Sequence, residues 1–425
     1  MTTVAPIEAS DERQDSRKKS DARLTQLLIT TPDKLLQASK DVSKDWSNTG
    51  GTAIAQRPLT PETSLNKSDA VFSNDKSSAR LLMLSQLDVY GADKARQEQW
   101  DAFIQKTRED RFKARSTKIE HVDEHEDELL GLASMGTGKM GKERLRELHN
   151  LVLGGIPMTY RPKIWNEMTG AYTMKEPAYY EELLSHGKDV DVVCVEQIDL
   201  DLKRTMPSNV FFAGVGTGVA KLRHVLLAYS RHNSEVGYCQ GMNVIAGILL
   251  LIHPKEEDAF FALACIVEKI LPPRYFTPDL LTSRADQIVL KQFVKDLCPK
   301  VHKHMKTLSI DLEAITFGWF LSVFTDCLPV ELLFRIWDIF FLEGRNYLFC
   351  VAITIIKIHE RSILQTKTTG QGYILLKELT AAKEINVDEF VKIAEQVKIT
   401  LRNKAYDISQ LQKNAVEQLI PPSPL

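Results

Sequence analysis

The 425-residue chain is 44% apolar and 26% charged, with a formal net charge of -2. That composition is ordinary for a globular protein, and so even a balance excludes a chain-wide attraction to nucleic acid or to an anionic membrane. The cysteines Cys194, Cys239, Cys265, Cys298, Cys327 and Cys350 form no CxxC pair, which argues against a zinc site or disulfide framework and for reduced thiols in an intracellular protein.

The length allows two or three domains, or one large domain with tails. Residues 1–80 are rich in Ser, Thr, Asp and Lys, and apolar residues occur singly or in short clusters such as Leu24 to Leu28. Such a stretch buries too little surface to offset its ordering entropy and reads as a disordered N-terminal tail. Met1 to Ser16 has no apolar core, so no secretory signal is expected there. Residues 81–141 read as a helical and charged linker region. Trp100, Phe103 and Ile104 share a helical face, and Thr107 to Glu128 ends in the acidic run Asp123 to Glu128, a solvated face or loop by its charge.

Gly136-Thr137-Gly138-Lys139-Met140-Gly141-Lys142 matches the opening of a GxxxxGK phosphate-binding loop. Glu143 stands where a Ser or Thr should bind magnesium, however, and no β-branched strand precedes the glycines, so the stretch reads as a linker entering a helix. That helix, Lys142 to Leu153, stops at Gly154-Gly155-Ile156-Pro157. Pro162 suits the first turn of the next one, to which Ile164, Trp165 and Met168 give an apolar side. Arg161 is a candidate site residue there, although an arginine beside a buried tryptophan is more often structural.

Val190 to Arg204 reads as a helix, with Val195, Ile198 and Leu202 on one face. Asp201 and Arg204 are i, i+3 neighbours, close enough to pair. Pro207 discourages helix beyond Met206, which puts Arg204 in or near the last turn, where a cation is favourable in itself. Phe211 to Gly218 is a loop, and Val219 spoils its likeness to GxGxxG. Leu222, Val225, Leu226 and Tyr229 then form a helical stripe. Tyr238-Cys239-Gln240-Gly241-Met242-Asn243 leads into the longest apolar run, Val244 to Ile252, which is far short of the roughly 20 residues that cross a bilayer and reads as a buried helix.

The pattern stays helical through Ala259 to Leu271, Ala285 to Val301, Ala314 to Phe324, Val330 to Phe341 and Leu348 to His359, with no sustained alternation of strand type. The expected fold is all-α: one large helical domain over 142–363, flanking helices, and a C-terminal helical extension over 364–425. In that extension Asn386-Val387-Asp388-Glu389 has the form of a capping box. Phe390, Ile393 and Val397 then line a face that either packs on the domain or receives a partner helix.

Self-contained catalysis finds little support, because GxSxG and HExxH are absent and Cys239 sits in an apolar junction where a thiol is usually inert. Ile198-x-x-Asp201-x-x-Arg204 followed by Tyr238-x-Gln240-Gly241-Met242 resembles the paired fingerprint of the TBC domain, the GTPase-activating domain that acts on Rab-type small GTPases. Gly155-Ile156-Pro157 with Arg161-x-x-x-Trp165 looks like that family's opening motif, and Arg335-Ile336-Trp337-Asp338 like a late one. The four fall in order across about Leu151 to Ile363.

The resemblance implies an enzyme activator rather than an enzyme. Arg204 and Gln240 would be the catalytic fingers, entering the active site of a Rab in its GTP state. Ile198, Asp201, Tyr238, Gly241, Met242, Arg161 and Trp165 would support them. It implies no cofactor or metal in this chain, since GTP and Mg belong to the partner. It also implies no nucleic acid, and a cytoplasmic protein, peripheral on endomembranes, that meets membranes only through partners. A TBC-like scaffold that binds a Rab or trafficking partner without catalysis is the alternative; the presence of both Arg204 and Gln240 favours catalysis.

Overall fold

The computed structural model describes residues 94–116, 130–132, 138–185, 192–209, 211–212, 217–379 and 386–420. All of them lie in one structural unit. The expected tail, the acidic run 123–128, the first glycine of the GxxxxGK stretch and residues 213–216 lie outside the described residues. Among the described residues the protein is all-α, with no strand.

α1 (Lys94–Ser116) buries Trp100 and Phe103, and α2 (Gly138–Gly154) follows. α2 begins four residues earlier than the sequence suggests, so Gly138 to Lys142 is helix and not an open phosphate cradle. α3 (Arg161–Thr169) carries Pro162 in its first turn and ends at Gly170. α4 (Tyr179–Ser185), α5 (Val192–Leu202) and α6 (Thr217–His232) come next. The stripe Leu222, Val225, Leu226 and Tyr229 is the buried face of α6. α7 (Met242–Ile252) and α8 (Glu256–Cys265) are buried on nearly every side. α5, α6, α7 and α8 pack successively on one another.

The second half differs from the sequence reading at two points. Ala285 to Val301 looks continuous, but the chain divides into α9 (Leu281–Leu297) and α10 (Pro299–Thr307). Pro299 disfavours helical geometry at the preceding residue, and Cys298 accordingly leaves the helical region at φ -132° and ψ 54°. α11 (Glu313–Leu321) stops before Phe324, because Val323 and Phe324 both take positive φ, 48° and 63°. α12 (Val330–Glu343) and α13 (Asn346–Ile358) are central helices. α14 (Glu360–Gln365) and α15 (Thr369–Glu378) follow.

α16 (Val387–Asn403) and α17 (Ile408–Leu419) close the described chain. The Asn386 side chain accepts from the Glu389 amide at 3.0 Å, as a capping residue should. Phe390 and Val397 are 1% and 2% exposed, so this face of α16 is packed on α12 and α13 and not open to a partner.

One buried carboxylate ties the first half to the second. Asp338 on α12 receives Arg161 Nε at 3.0 Å, Arg161 Nη2 at 2.9 Å, Trp165 Nε1 at 2.8 Å and the Ile156 amide at 3.0 Å. Trp165 also packs against Trp337 and Phe341, with ring centroids 5.7 and 5.0 Å apart. Gly155 next to this knot has φ 101°, and a Cβ there would stand 2.8 Å from Arg335 Nε. The backbone must pass close to the guanidinium, and only glycine permits both the approach and the dihedral.

Candidate functional site

α5 ends at Leu202, and the chain turns sharply through Arg204 and Thr205, whose amides bond the carbonyls of Asp201 and Leu202 at 3.2 and 3.3 Å. The Arg204 side chain reaches back. Its Nε and Nη2 both meet Asp201 Oδ1, at 2.8 and 2.7 Å. The other carboxylate oxygen, Oδ2, accepts the Tyr238 hydroxyl at 2.5 Å. Asp201 is therefore gripped from two sides: its side chain is 9% exposed, whereas that of Arg204 is 39% exposed. The guanidinium is held along its Nε–Nη2 edge and keeps over a third of its surface exposed. Five rigid N–H donors make that geometry useful for a phosphate oxygen.

A second polar thread runs alongside. The Thr205 hydroxyl donates to the Asp201 carbonyl at 2.7 Å and accepts from Asn243 Nδ2 at 2.7 Å. Asn243 Oδ1 accepts the Gly241 amide at 3.1 Å. The turn that bears Arg204 and the turn that bears Gln240 are thus joined twice, through Asp201–Tyr238 and through Thr205–Asn243. Residues distant in sequence meet at one surface rim.

Gln240 itself is exposed and makes no side-chain hydrogen bond to the described residues. Its neighbours supply the rigidity. Met242 is fully buried and its sulfur accepts the Cys239 amide at 3.3 Å. Gly241 has φ 108°, and a Cβ there would lie 2.7 Å from the Leu321 carbonyl oxygen. The close approach that needs this glycine is therefore internal, to the end of α11. Ile198 is fully buried under α5 and acts as an anchor.

Burial, with the Asp201 charge adding, pushes the Tyr238 phenol far above its ordinary range. It stays a protonated donor. Cys239 keeps some exposed surface, but burial of its thiol and the nearby Asp201 push it up to about 12. A thiol held protonated is no nucleophile.

Asp326, just beyond the left-handed pair Val323 and Phe324, is exposed at the same rim. Burial of its carboxyl raises it above the ordinary value; Arg204 opposes the rise and Asp201 adds to it. Asp326, Thr205 and Asn243 have no local sequence signal. Their part depends on the 321–327 turn and on α7 meeting the end of α5. Arg161 and Trp165 are not at this rim: both are wholly buried on Asp338.

One further group has metal-ligand chemistry. His149 Nε2 lies 2.7 Å from Glu343 Oε1, and Glu395 completes the set. Lys398 Nζ stands 2.5 Å from both Glu343 and Glu395, however, where a metal ion would have to sit. The group is a four-residue ionic clamp between α2, α12 and α16.

Comparison with known proteins agrees with this architecture. Residues 158–364 match the family described as Rab-GTPase-TBC domain. The chain is 48% identical over 300 residues to a TBC domain-containing protein of Schizosaccharomyces pombe, covering 70% of this chain and 38% of that one. It is 39% identical over 237 residues to mouse TBC1 domain family member 2A, covering 55% and 26%. The chain thus spans well under half the length of these curated relatives. The crystal structure of a Chlamydomonas flagellar RabGAP TBC domain superposes with a TM-score of 0.56 at 24% identity, covering 79% of this chain and 97% of that one. The Ypt/Rab-GAP domain of Gyp1p does so with a TM-score of 0.52 at 16% identity, covering 61% and 93%. Residues 158–364 therefore carry a domain of the Rab-GTPase-TBC family.

Proposed function

We propose that this protein accelerates GTP hydrolysis by a Rab-family GTPase, with Arg204 and Gln240 supplied in trans. The observation that carries the reading is the Arg204–Asp201–Tyr238 chain. It holds a half-exposed guanidinium in one orientation and ties it to the turn that presents an exposed carboxamide. Phosphoryl transfer to water spreads negative charge over the phosphoryl oxygens. A permanently charged, planar guanidinium neutralises that charge, and an amide that both donates and accepts can orient the attacking water. Asp201 keeps its grip on the Nε–Nη2 edge while the exposed part faces the partner. GTP and Mg stay on the GTPase, and this chain contributes no nucleotide site.

The test is a hydrolysis assay on a panel of GTP-loaded Rab proteins. The chain alone should hydrolyse no GTP, and at least one Rab should be accelerated. Arg204→Ala and Gln240→Ala should each remove most of the acceleration, the arginine by roughly a thousandfold or more, with circular dichroism unchanged. Full rate in Arg204→Lys would overturn the finger assignment, since an ammonium cannot reproduce the forked geometry.

A further inference from the structure

Between Asp296 and Asp311 the chain contains no acidic residue, but it contains Lys300, Lys303 and Lys306. These residues form α10, which turns Val301 and Met305 inward and exposes all three lysines. α14 packs against α10, and His304 Nε2 lies 3.1 Å from the Thr366 hydroxyl just past its end. Lys357 and Glu360 lie close to the Cys298 thiol at the start of α10. Lys357 near the start of α10, Arg361 on α14 and Lys367 just past its end are also exposed. None of these six cations forms an ion pair or side-chain hydrogen bond among the described residues, and Glu360 is the only carboxylate within 297–310 and 357–367. Lys175 and Lys398, by contrast, each sit between two carboxylates. In a chain whose net charge is -2, such a gathering of unneutralised cations repels itself and attracts an anionic surface.

We propose that the face formed by α10, α14 and the end of α13 is a contact surface for an anionic lipid bilayer. The chemistry of the face selects that occupant. Lysine ammonium groups on long stems suit a diffuse layer of mobile anionic headgroups, to which each adds attraction within a Debye length. All six cations are exposed and lie on short helices or at helix ends, spread along the chain over 300–306 and 357–367. No Phe, Tyr or Trp lies in 297–310 or 357–367, so the stacking platform that single-stranded nucleic acid needs is missing. This contact would add a direct membrane attachment to the partner-only association implied by the family resemblance, and it does not depend on the GTPase reading.

The test is sedimentation of the full chain with vesicles of phosphatidylcholine alone and with vesicles that also contain phosphatidylserine. Binding is expected only to the second kind, with release by added salt. Lys300→Glu/Lys303→Glu/Lys306→Glu should weaken it by at least about tenfold, and the matching triple Gln variant by less, with thermal unfolding midpoints unchanged. Four results would overturn the proposal: no preference for the anionic vesicles, undiminished binding by the Glu variant, full competition by inorganic phosphate at constant ionic strength, or tighter binding to polyglutamate than to vesicles. The third would indicate a discrete anion pocket and the fourth an acidic polypeptide partner.

Discussion

At the scale of single residues, the role proposed for Arg204 requires that it wait in the right orientation, and Tyr238 holds the Asp201 carboxylate that orients it. Tyr238→Phe removes the donor to Asp201 Oδ2 but keeps the ring. Hydrogen bonds to charged groups are worth about 1.5–3 kcal/mol, so the finger should loosen while partner binding is spared. The expected result is a kcat for the stimulated reaction lowered about tenfold or more, with KM unchanged. Equal changes in kcat and KM would instead mean that the tyrosine serves docking. Gly241 constrains the turn that bears Gln240, the other proposed finger. An alanine there faces both a positive φ and the Leu321 carbonyl, and left-handed strain alone is on the order of 1 kcal/mol. Gly241→Ala should displace Gln240 and reduce stimulation nearly as far as Gln240→Ala does, with the helical circular dichroism retained.

At the scale of elements, Asp338 shows which side chains of the opening motif hold the fold and not the chemistry. Its four donors come from α3, from the turn before it and from no solvent-facing group. A buried pair like Arg161–Asp338 adds little against a well-packed apolar pair, but removing one partner strands a charge at a cost of about 3–5 kcal/mol. Asp338→Ala should therefore lower unfolding free energy by that amount in a urea titration. The folded fraction should still stimulate GTP hydrolysis, because Arg204 is untouched. Elements also explain the breaks that periodicity hides. Pro299 separates α9 from α10, and the left-handed Val323 and Phe324 end α11 so that Asp326 in the following turn comes near Arg204.

For the whole molecule, the helical fold extends past the matched residues 158–364. α16 and α17 bury Leu401 and Ala415, and Gln412 of α17 donates to Asp286 of α9 at 2.6 Å. Burial raises the Asp286 carboxyl to about 7, against the pull of Arg345 and Gln412. An acid whose folded pKa lies above its unfolded value stabilises the fold below the unfolded pKa and loses that contribution as pH rises through the folded one. Urea unfolding between pH 5 and pH 8 should show the wild type losing stability relative to Asp286→Asn by on the order of 2 kcal/mol, at about 1.4 kcal/mol per pKa unit. A pH-independent difference would mean that the ion pair with Arg345 keeps Asp286 charged throughout.

The sequence by itself determined what depends on local pattern: the helical class, the stripe on α6, the buried α7, the Asn386 cap and the pairing of Asp201 with Arg204 three residues on. These follow from side chains whose neighbours along the chain are also their neighbours on a helix. The motif residues were legible too, but their roles were not equally so. Arg161 and Trp165 stand in a motif just as Arg204 does, and only their complete burial on Asp338 separates scaffold from rim. Thr205, Asn243 and Asp326 could not be found from the chain alone. Their positions are set by where α5, α7 and the 321–327 turn come together, and that meeting is fixed by packing over the whole core, which no window of sequence contains.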